Sequence, residues 1–144
     1  MNLFLDANII VAVLNNEYPI YSYAIRILSL ANKKEHKIYT SPICLAIAFY
    51  FVEKKSGAKV AKQKIKLLVE KIKIADITDL EVSLCLKNIK INDVEDGLEY
   101  YSAMRKNCDV IITEDVNDFY FSTIPFFTSK QFMDEYLLTQ KIKI

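Results

Sequence analysis

The chain has 144 residues, of which 52% are hydrophobic, and its 19 basic and 18 acidic residues leave a formal net charge of +1. This length and composition predict one globular domain over residues 1–144 and exclude a disordered chain. No apolar run is long enough to span a membrane, and Asp6 interrupts any signal-peptide pattern, so we expect a cytoplasmic protein. The balanced charge excludes strong overall attraction to nucleic acid, although a local basic patch remains open.

Strand and helix patterns alternate along the chain. The apolar runs NLFL and DVIIT predict buried parallel strands, and HKIYT, KIKIA and IPFFT predict further strands. Apolar residues at helical spacing predict helices over 18–33, 58–72 and 80–89, and capping signals predict helices that begin near 41 and 129. This alternation predicts an α/β fold in which helices cover both faces of a parallel sheet.

Polar and acidic side chains follow two of the predicted strands. The first strand is followed by Asp6 and Asn8, and the strand over 110–112 is followed by Thr113, Glu114, Asp115 and Asp118. Ligands of an open parallel sheet bind at the carboxyl ends of the strands, which makes these residues candidates for a site. Helix capping explains Asp6 and Asp115 equally well when each is taken alone.

The segment DVEDGLEYY places four carboxylates within seven residues. On a helix, Asp93 and Asp96 lie about 60° apart, whereas Glu95 falls on nearly the opposite side and Glu99 at the flank. We therefore predict that Glu95 and Glu99 are dispensable for activity. The predicted apolar face consists of Val94, Leu98 and Tyr101. Capping and the helix dipole remain an alternative explanation for these acids.

Carboxylates that converge from three segments repel one another unless a cation lies among them. Hard divalent cations such as Mg²⁺ and Mn²⁺ prefer oxygen ligands. A single histidine and three widely spaced cysteines without a CxxC pair give no sign of a zinc site. Metal held by carboxylates suits phosphodiester chemistry, which indicates a nuclease.

The motifs FLDANIIVAVL, DVEDGLEYYSA, CDVIITEDVNDF and IPFFTSKQF occur in an order and spacing that resemble PIN-domain proteins, and among them the bacterial VapC-type toxins. The resemblance implies a three-layer α/β/α sandwich with a mainly parallel five-stranded sheet. It also implies an endoribonuclease that depends on Mg²⁺ or Mn²⁺, with RNA as substrate. A toxin of this kind has a cognate antitoxin, and a homodimer is a further expectation.

The resemblance carries site residues over by position. The catalytic metal ligands correspond to Asp6, Asp96 and Asp115, the acids that complete the metal shell to Asp118 and Asp93, and the substrate-positioning residues to Asn8 and Thr113.

One part of the pattern departs from these relatives. PIN nucleases usually carry a glutamate in the first turns of the helix that begins here at Ser41, but residues 45–48 are all apolar and Glu53 comes about six residues later. We predict that a glutamate at Ala46 or Ile47 tightens Mn²⁺ binding. The departure also motivates an alternative, a catalytically weak or inactive PIN-like module that binds RNA or protein. A phosphoacceptor receiver domain is disfavoured, because only Asp6 follows the first strand.

Two surface features are candidates for contacts with partners. Lys55, Lys59, Lys62 and Lys66 lie on one side of a predicted helix, either as a phosphate-binding row or as an ordinary solvated face. In the VapC-like proteins the early helices often form the antitoxin groove, which makes Tyr18, Tyr21 and Phe49 candidates for that contact.

Overall fold

The computed structural model describes residues 1–142. Its strands are β1 (Asn2–Leu5), β2 (Lys37–Thr40), β3 (Lys73–Ile74), β4 (Val110–Ile112) and β5 (Phe126–Phe127). Its α-helices are α1 (Ala7–Leu14), α2 (Ile20–Ser29), α3 (Pro42–Ser56), α4 (Ala58–Val69), α5 (Asp79–Lys87), α6 (Val94–Arg105) and α7 (Ser129–Ile142). Short 3₁₀ turns cover Leu30–Asn32 and Val116–Phe119.

The five strands form one sheet in the order β3-β2-β1-β4-β5, and every neighbouring pair is parallel. In this register Leu3 of β1 lies between Ile38 of β2 and Val110 of β4. Strands β2 and β3 are added on one side of β1, and strands β4 and β5 are then added on its other side. The order therefore reverses between β1 and β4, which is where ligands of such sheets bind.

Two buried cores lie on opposite faces of the sheet. Because side chains alternate along a strand, Leu3 and Leu5 join a core shared with α1, α2 and α7, whereas Phe4 joins a core shared with α6. This arrangement confirms the predicted three-layer α/β/α sandwich with a parallel five-stranded sheet. In the part of the chain described here, no helix is both long and apolar enough to span a bilayer.

Helix α6 buries a different face from the one predicted. Val94 is 47% exposed, and the buried residues of α6 are Gly97, Glu99, Tyr100, Ser102 and Ala103. A Cβ atom on Gly97 would lie 2.8 Å from Cγ2 of Ile91 and would also meet the Cys85 sulfur. The missing side chain thus lets α5 and the loop after it approach α6 closely, and Glu99 lies on the buried side of the helix.

Candidate metal site

Asp6 stands at the carboxyl end of β1 and at the start of α1. Its Oδ1 accepts the backbone N–H of Ala7 at 2.6 Å, and its Oδ2 accepts the Thr113 hydroxyl at 2.7 Å. Burial is the main cause that raises the pKa of this carboxyl, and it outweighs the hydrogen bonds that lower it. Asp6 therefore caps α1 and also belongs to a wider polar cluster. Its interpretation as a helix cap and its interpretation as a candidate site residue are thus compatible.

Asn8 and Thr113 join Asp6 to Asp115. The Asn8 amide donates to Asp6 Oδ2 at 3.3 Å and to Asp115 Oδ2 at 3.1 Å. The backbone N–H of Asp115 donates to the Thr113 hydroxyl at 3.0 Å. These contacts form because β1 pairs with β4, which brings the two strand ends side by side. In this structure Asn8 and Thr113 orient carboxylates.

The acids of α6 approach from the other side. Asp93 caps the helix, since its Oδ1 accepts the backbone N–H of Glu95 at 2.9 Å. Asp96 is half-buried. Its burial, followed by the charges of Asp93, Asp118 and Asp6, raises its pKa to about 7. Negative charge from three segments therefore acts on one carboxyl.

These residues share one open pocket. Its polar lining consists of Asp6, Asn8, Glu17, Asp93, Glu95, Asp96, Asp115 and Asp118. Its apolar lining consists of Ala7, Val11, Ile20, Ile47 and Phe51. Thr113 is fully buried behind Asp6. Glu114 points elsewhere, because its Oε1 accepts the Ser129 N–H at 3.0 Å at the start of α7.

The orientation predicted for two glutamates is wrong. Glu95, expected on the opposite side of α6, lines the pocket. Glu99, expected at the flank, is 1% exposed, and one ligand atom each of Asp6, Cys44 and Glu99 lie within 4.8 Å of one another. The missed signal was the spacing of Asp96 and Glu99, since residues i and i+3 share a helix face.

Burial and the neighbouring Asp6 raise the pKa of Glu99 well above its usual range. Burial likewise raises the pKa of the Cys44 thiol well above its ordinary value, and sulfur ligands suit softer metals than Mg²⁺ or Mn²⁺. Among buried side-chain atoms within residues 1–142, Glu99 Oε2 is one of those without a hydrogen-bond partner. A donor set of carboxylate oxygens with an unpaired buried oxygen fits a hard divalent cation.

Comparisons with known proteins agree with this fold. The family model described as PIN domain matches residues 2–117. No curated protein is significantly similar to the chain. The solved structures of similar fold include VapBC2 from Rickettsia felis bound to a DNA fragment from its promoter, with 20% identity, a TM-score of 0.68, and coverage of 89% of this chain and 98% of that chain.

Two further structures are similar. VapBC-1 from nontypeable Haemophilus influenzae has 20% identity and a TM-score of 0.68, and the match covers 90% of this chain and 99% of that one. Mycobacterium tuberculosis VapC20, a toxin that cleaves the sarcin-ricin loop, has 14% identity and a TM-score of 0.59, with coverage of 76% and 86%. At these identities the likeness establishes the fold. Because the family model spans most of the sequence, the chain belongs to the PIN-domain family.

Proposed function

We propose that this protein is a metal-dependent endoribonuclease that uses Mg²⁺ or Mn²⁺. Membership of the PIN-domain family supports a nuclease at the level of the family. The observation that carries the proposal is the pocket at the carboxyl edge of the sheet. There the carboxylates of Asp6, Asp96 and Asp115 converge from β1, α6 and the turn after β4, next to the point where the strand order reverses.

In this proposal Asp6, Asp96 and Asp115 hold one or two cations, and Asp118 and Asp93 complete the shell. A bound cation would activate water and stabilise negative charge on the phosphate. The protein side chains contribute by holding the carboxylates in place. The Asn8 amide holds Asp6 and Asp115 together, which fixes two of the carboxylates before any metal arrives.

RNA is the proposed substrate, because one structure of similar fold is of a toxin that cleaves the sarcin-ricin loop. The choice of RNA over DNA rests on that likeness alone and is part of the test below. The exposed Lys59, Lys62 and Lys66 of α4 remain available for phosphates. Lys55, predicted on the same helix as these lysines, instead belongs to α3, and its Nζ donates to the Asn15 carbonyl at the end of α1 at 2.7 Å.

We also propose an antitoxin partner, since two structures of similar fold are VapBC assemblies. Exposed aromatic rings beside the pocket support a protein contact there. Tyr18 is 72% exposed and packs against Tyr21, while Tyr50 and Phe51 are 52% and 47% exposed. Large apolar side chains grouped on a surface are typical of protein interfaces. A homodimer remains an expectation.

The test is cleavage of defined RNA and DNA oligonucleotides by the full chain with Mg²⁺, with Mn²⁺ and with a chelator. We expect metal-dependent cleavage of RNA that Asp96→Asn lowers at least 100-fold, because the substitution removes a proposed ligand. Asp79→Asn is the control, since Asp79 is an exposed acid at the start of α5 and does not line the pocket.

Each outcome decides a specific point. Cleavage of DNA but not RNA would refute the choice of substrate and keep the nuclease. A folded protein that binds Mn²⁺ but cleaves neither would favour the non-catalytic binding module. Cleavage that Asp96→Asn and Asp79→Asn leave equally intact would place the chemistry outside this pocket.

A further inference from the structure

Helix α3 presents no carboxylate to the pocket. Its inward-facing residues near the site are Cys44, Ile47 and Ala48, of which Ile47 is half-buried and lines the pocket. Ala46 is exposed and does not line it, so of the two positions predicted to accept a glutamate ligand only Ile47 is suitably placed. Glu53 is exposed further along the helix. The wall formed by α3 therefore lacks an oxygen ligand.

Glu99 supplies a carboxyl group at the junction of α3, α6 and β1. It projects from α6, is 1% exposed, and lies with the carboxyl of Asp6 and the thiol of Cys44 in a group whose ligand atoms are within 4.8 Å of one another. Its Oε2 is buried without a hydrogen-bond partner. The carboxyl group of Glu99 thus lies beside a carboxylate that already belongs to the proposed metal site, and one of its two oxygens has no partner.

This arrangement is costly in the absence of a cation. A buried polar atom without a partner lowers stability, and two adjacent carboxyl groups in a water-poor environment repel each other when both are charged. Glutamine or leucine would fit a similar volume without that repulsion. A cation between Asp6 and Glu99 removes both costs, because it pairs the free oxygen and neutralises the two charges.

We propose that Glu99 is a ligand of the metal site. Glu99 and Asp6 would bind the cation from its buried side, and Asp96 and Asp115 would bind it from the side that faces the open pocket. The inference rests on the proposed function, since it assumes that the pocket binds a divalent cation. It assigns to α6 two ligands on one helix face, Asp96 and Glu99, and none to α3.

The test is Mn²⁺ titration by calorimetry on the full chain, with melting temperature measured in chelator for every variant. We expect Glu99→Gln and Glu99→Leu to weaken Mn²⁺ binding about ten-fold or more, because each removes a proposed anionic oxygen ligand. In chelator their melting temperatures should equal or exceed that of the wild type, because the buried carboxyl with an unpaired oxygen beside Asp6 is gone. Glu53→Gln is the matched control and should bind Mn²⁺ as tightly as the wild type.

A relocation variant adds an independent measurement. In the Glu99→Leu background, Ile47→Glu should recover part of the Mn²⁺ affinity, because it returns a carboxylate to the pocket from the α3 side. Ala46→Glu in the same background should recover none, because Ala46 is exposed and outside the pocket.

The results separate failure of the inference from failure of the proposed function. A wild type that binds no Mn²⁺ at millimolar concentration overturns both. A wild type that binds Mn²⁺ while Glu99→Gln binds it equally well overturns only the role of Glu99, and leaves it as a hydrogen-bonding neighbour of Asp6. Lower melting temperatures of both Glu99 variants in chelator, with unchanged affinity, would assign Glu99 a purely structural role.

Discussion

Asp96 combines partial burial with a surplus of negative neighbours. Desolvation disfavours its charged form, and the charges of Asp93 and Asp118 add to that effect, so its pKa rises to about 7. If the proposed function holds, a proton and a divalent cation would compete for the same carboxyl near neutral pH. Crowding of this kind costs stability in the metal-free protein, as is common where ionisable groups serve binding or catalysis.

The stability of the metal-free protein should therefore depend on pH through Asp96. Between pH 4 and pH 7 the folded chain holds a proton that the unfolded chain releases, because the pKa of Asp96 rises from 3.8 to about 7 on folding. Stability then falls as pH rises through this range and levels off above it. Melting temperatures in chelator from pH 5 to pH 8 should decline for the wild type and decline less for Asp96→Asn. Identical slopes for the two proteins would contradict the raised pKa.

Some residues of the pocket could be predicted from the sequence, and others could not. The placement of Asp6 and Asp115 in the pocket was predictable because each follows an apolar strand, and that of Asp96 because it shares a helix side with Asp93. The burial of Glu99 was not predicted because the buried face of α6, where Gly97 packs closely against Cys85 and Ile91, differs from the apolar pattern of the helix. Pairwise spacing to Asp96 was a better guide than the apolar pattern.

Helices α5 and α6 are tied together by Glu81. Its Oε2 accepts the backbone N–H of Thr78 at 2.7 Å and the Thr78 hydroxyl at 2.6 Å, which forms a capping box at the start of α5. Its Oε1 accepts Nη1 of Arg105 from the end of α6 at 2.8 Å. These bonds lower the pKa of Glu81 to about 2. The contact fixes the far end of the helix whose first turn carries Asp93 and Asp96.

Glu81→Ala should lower the free energy of unfolding by about 2 kcal/mol at pH 7, because it removes hydrogen bonds to a buried charged group. The contribution of Glu81 is complete above pH 4.5 and is lost as pH falls towards its folded pKa of about 2. Urea unfolding at pH 7 and pH 3 measures both effects. Asp79→Ala, in the same turn, is the control and should cost about 0.5 kcal/mol through the helix dipole. Equal losses in the two variants would argue against the capping box.

The elements themselves were largely predictable, but their ends were less so. Ser41 was expected to cap α3, and its hydroxyl does accept the Cys44 N–H at 3.2 Å. The predicted helix over 18–33 is shorter, since α2 spans Ile20–Ser29 and continues as a 3₁₀ turn. Strand β3 has only two residues, Lys73–Ile74. An edge strand needs few residues when it pairs on one side only, and sequence alone does not state which strand lies at the edge.

The strand order brings Asp6 and Asp115, which are distant in sequence, into one pocket. Residues 6 and 115 are far apart in sequence, yet they meet because β4 pairs with β1 rather than extending the sheet beyond β3. Local patterns could suggest that both follow strands, but only the pairing makes them neighbours. The pocket is thus held by β1, β4 and α6 together, and it disappears when the sheet unfolds.

A cation in this pocket should therefore stabilise the whole chain against unfolding. Binding to the folded state alone at 100 times the dissociation constant adds about 2.7 kcal/mol. For a chain of this size each kcal/mol raises the melting temperature by about 3 °C, so saturating Mn²⁺ should raise it by roughly 8 °C. Differential scanning calorimetry with Mn²⁺ and with chelator measures the shift. Asp79→Asn should respond like the wild type, whereas Asp6→Asn and Asp96→Asn should respond much less. An undiminished shift in both of those variants would mean that Mn²⁺ binds elsewhere, because neither carboxylate would then contribute to the binding free energy.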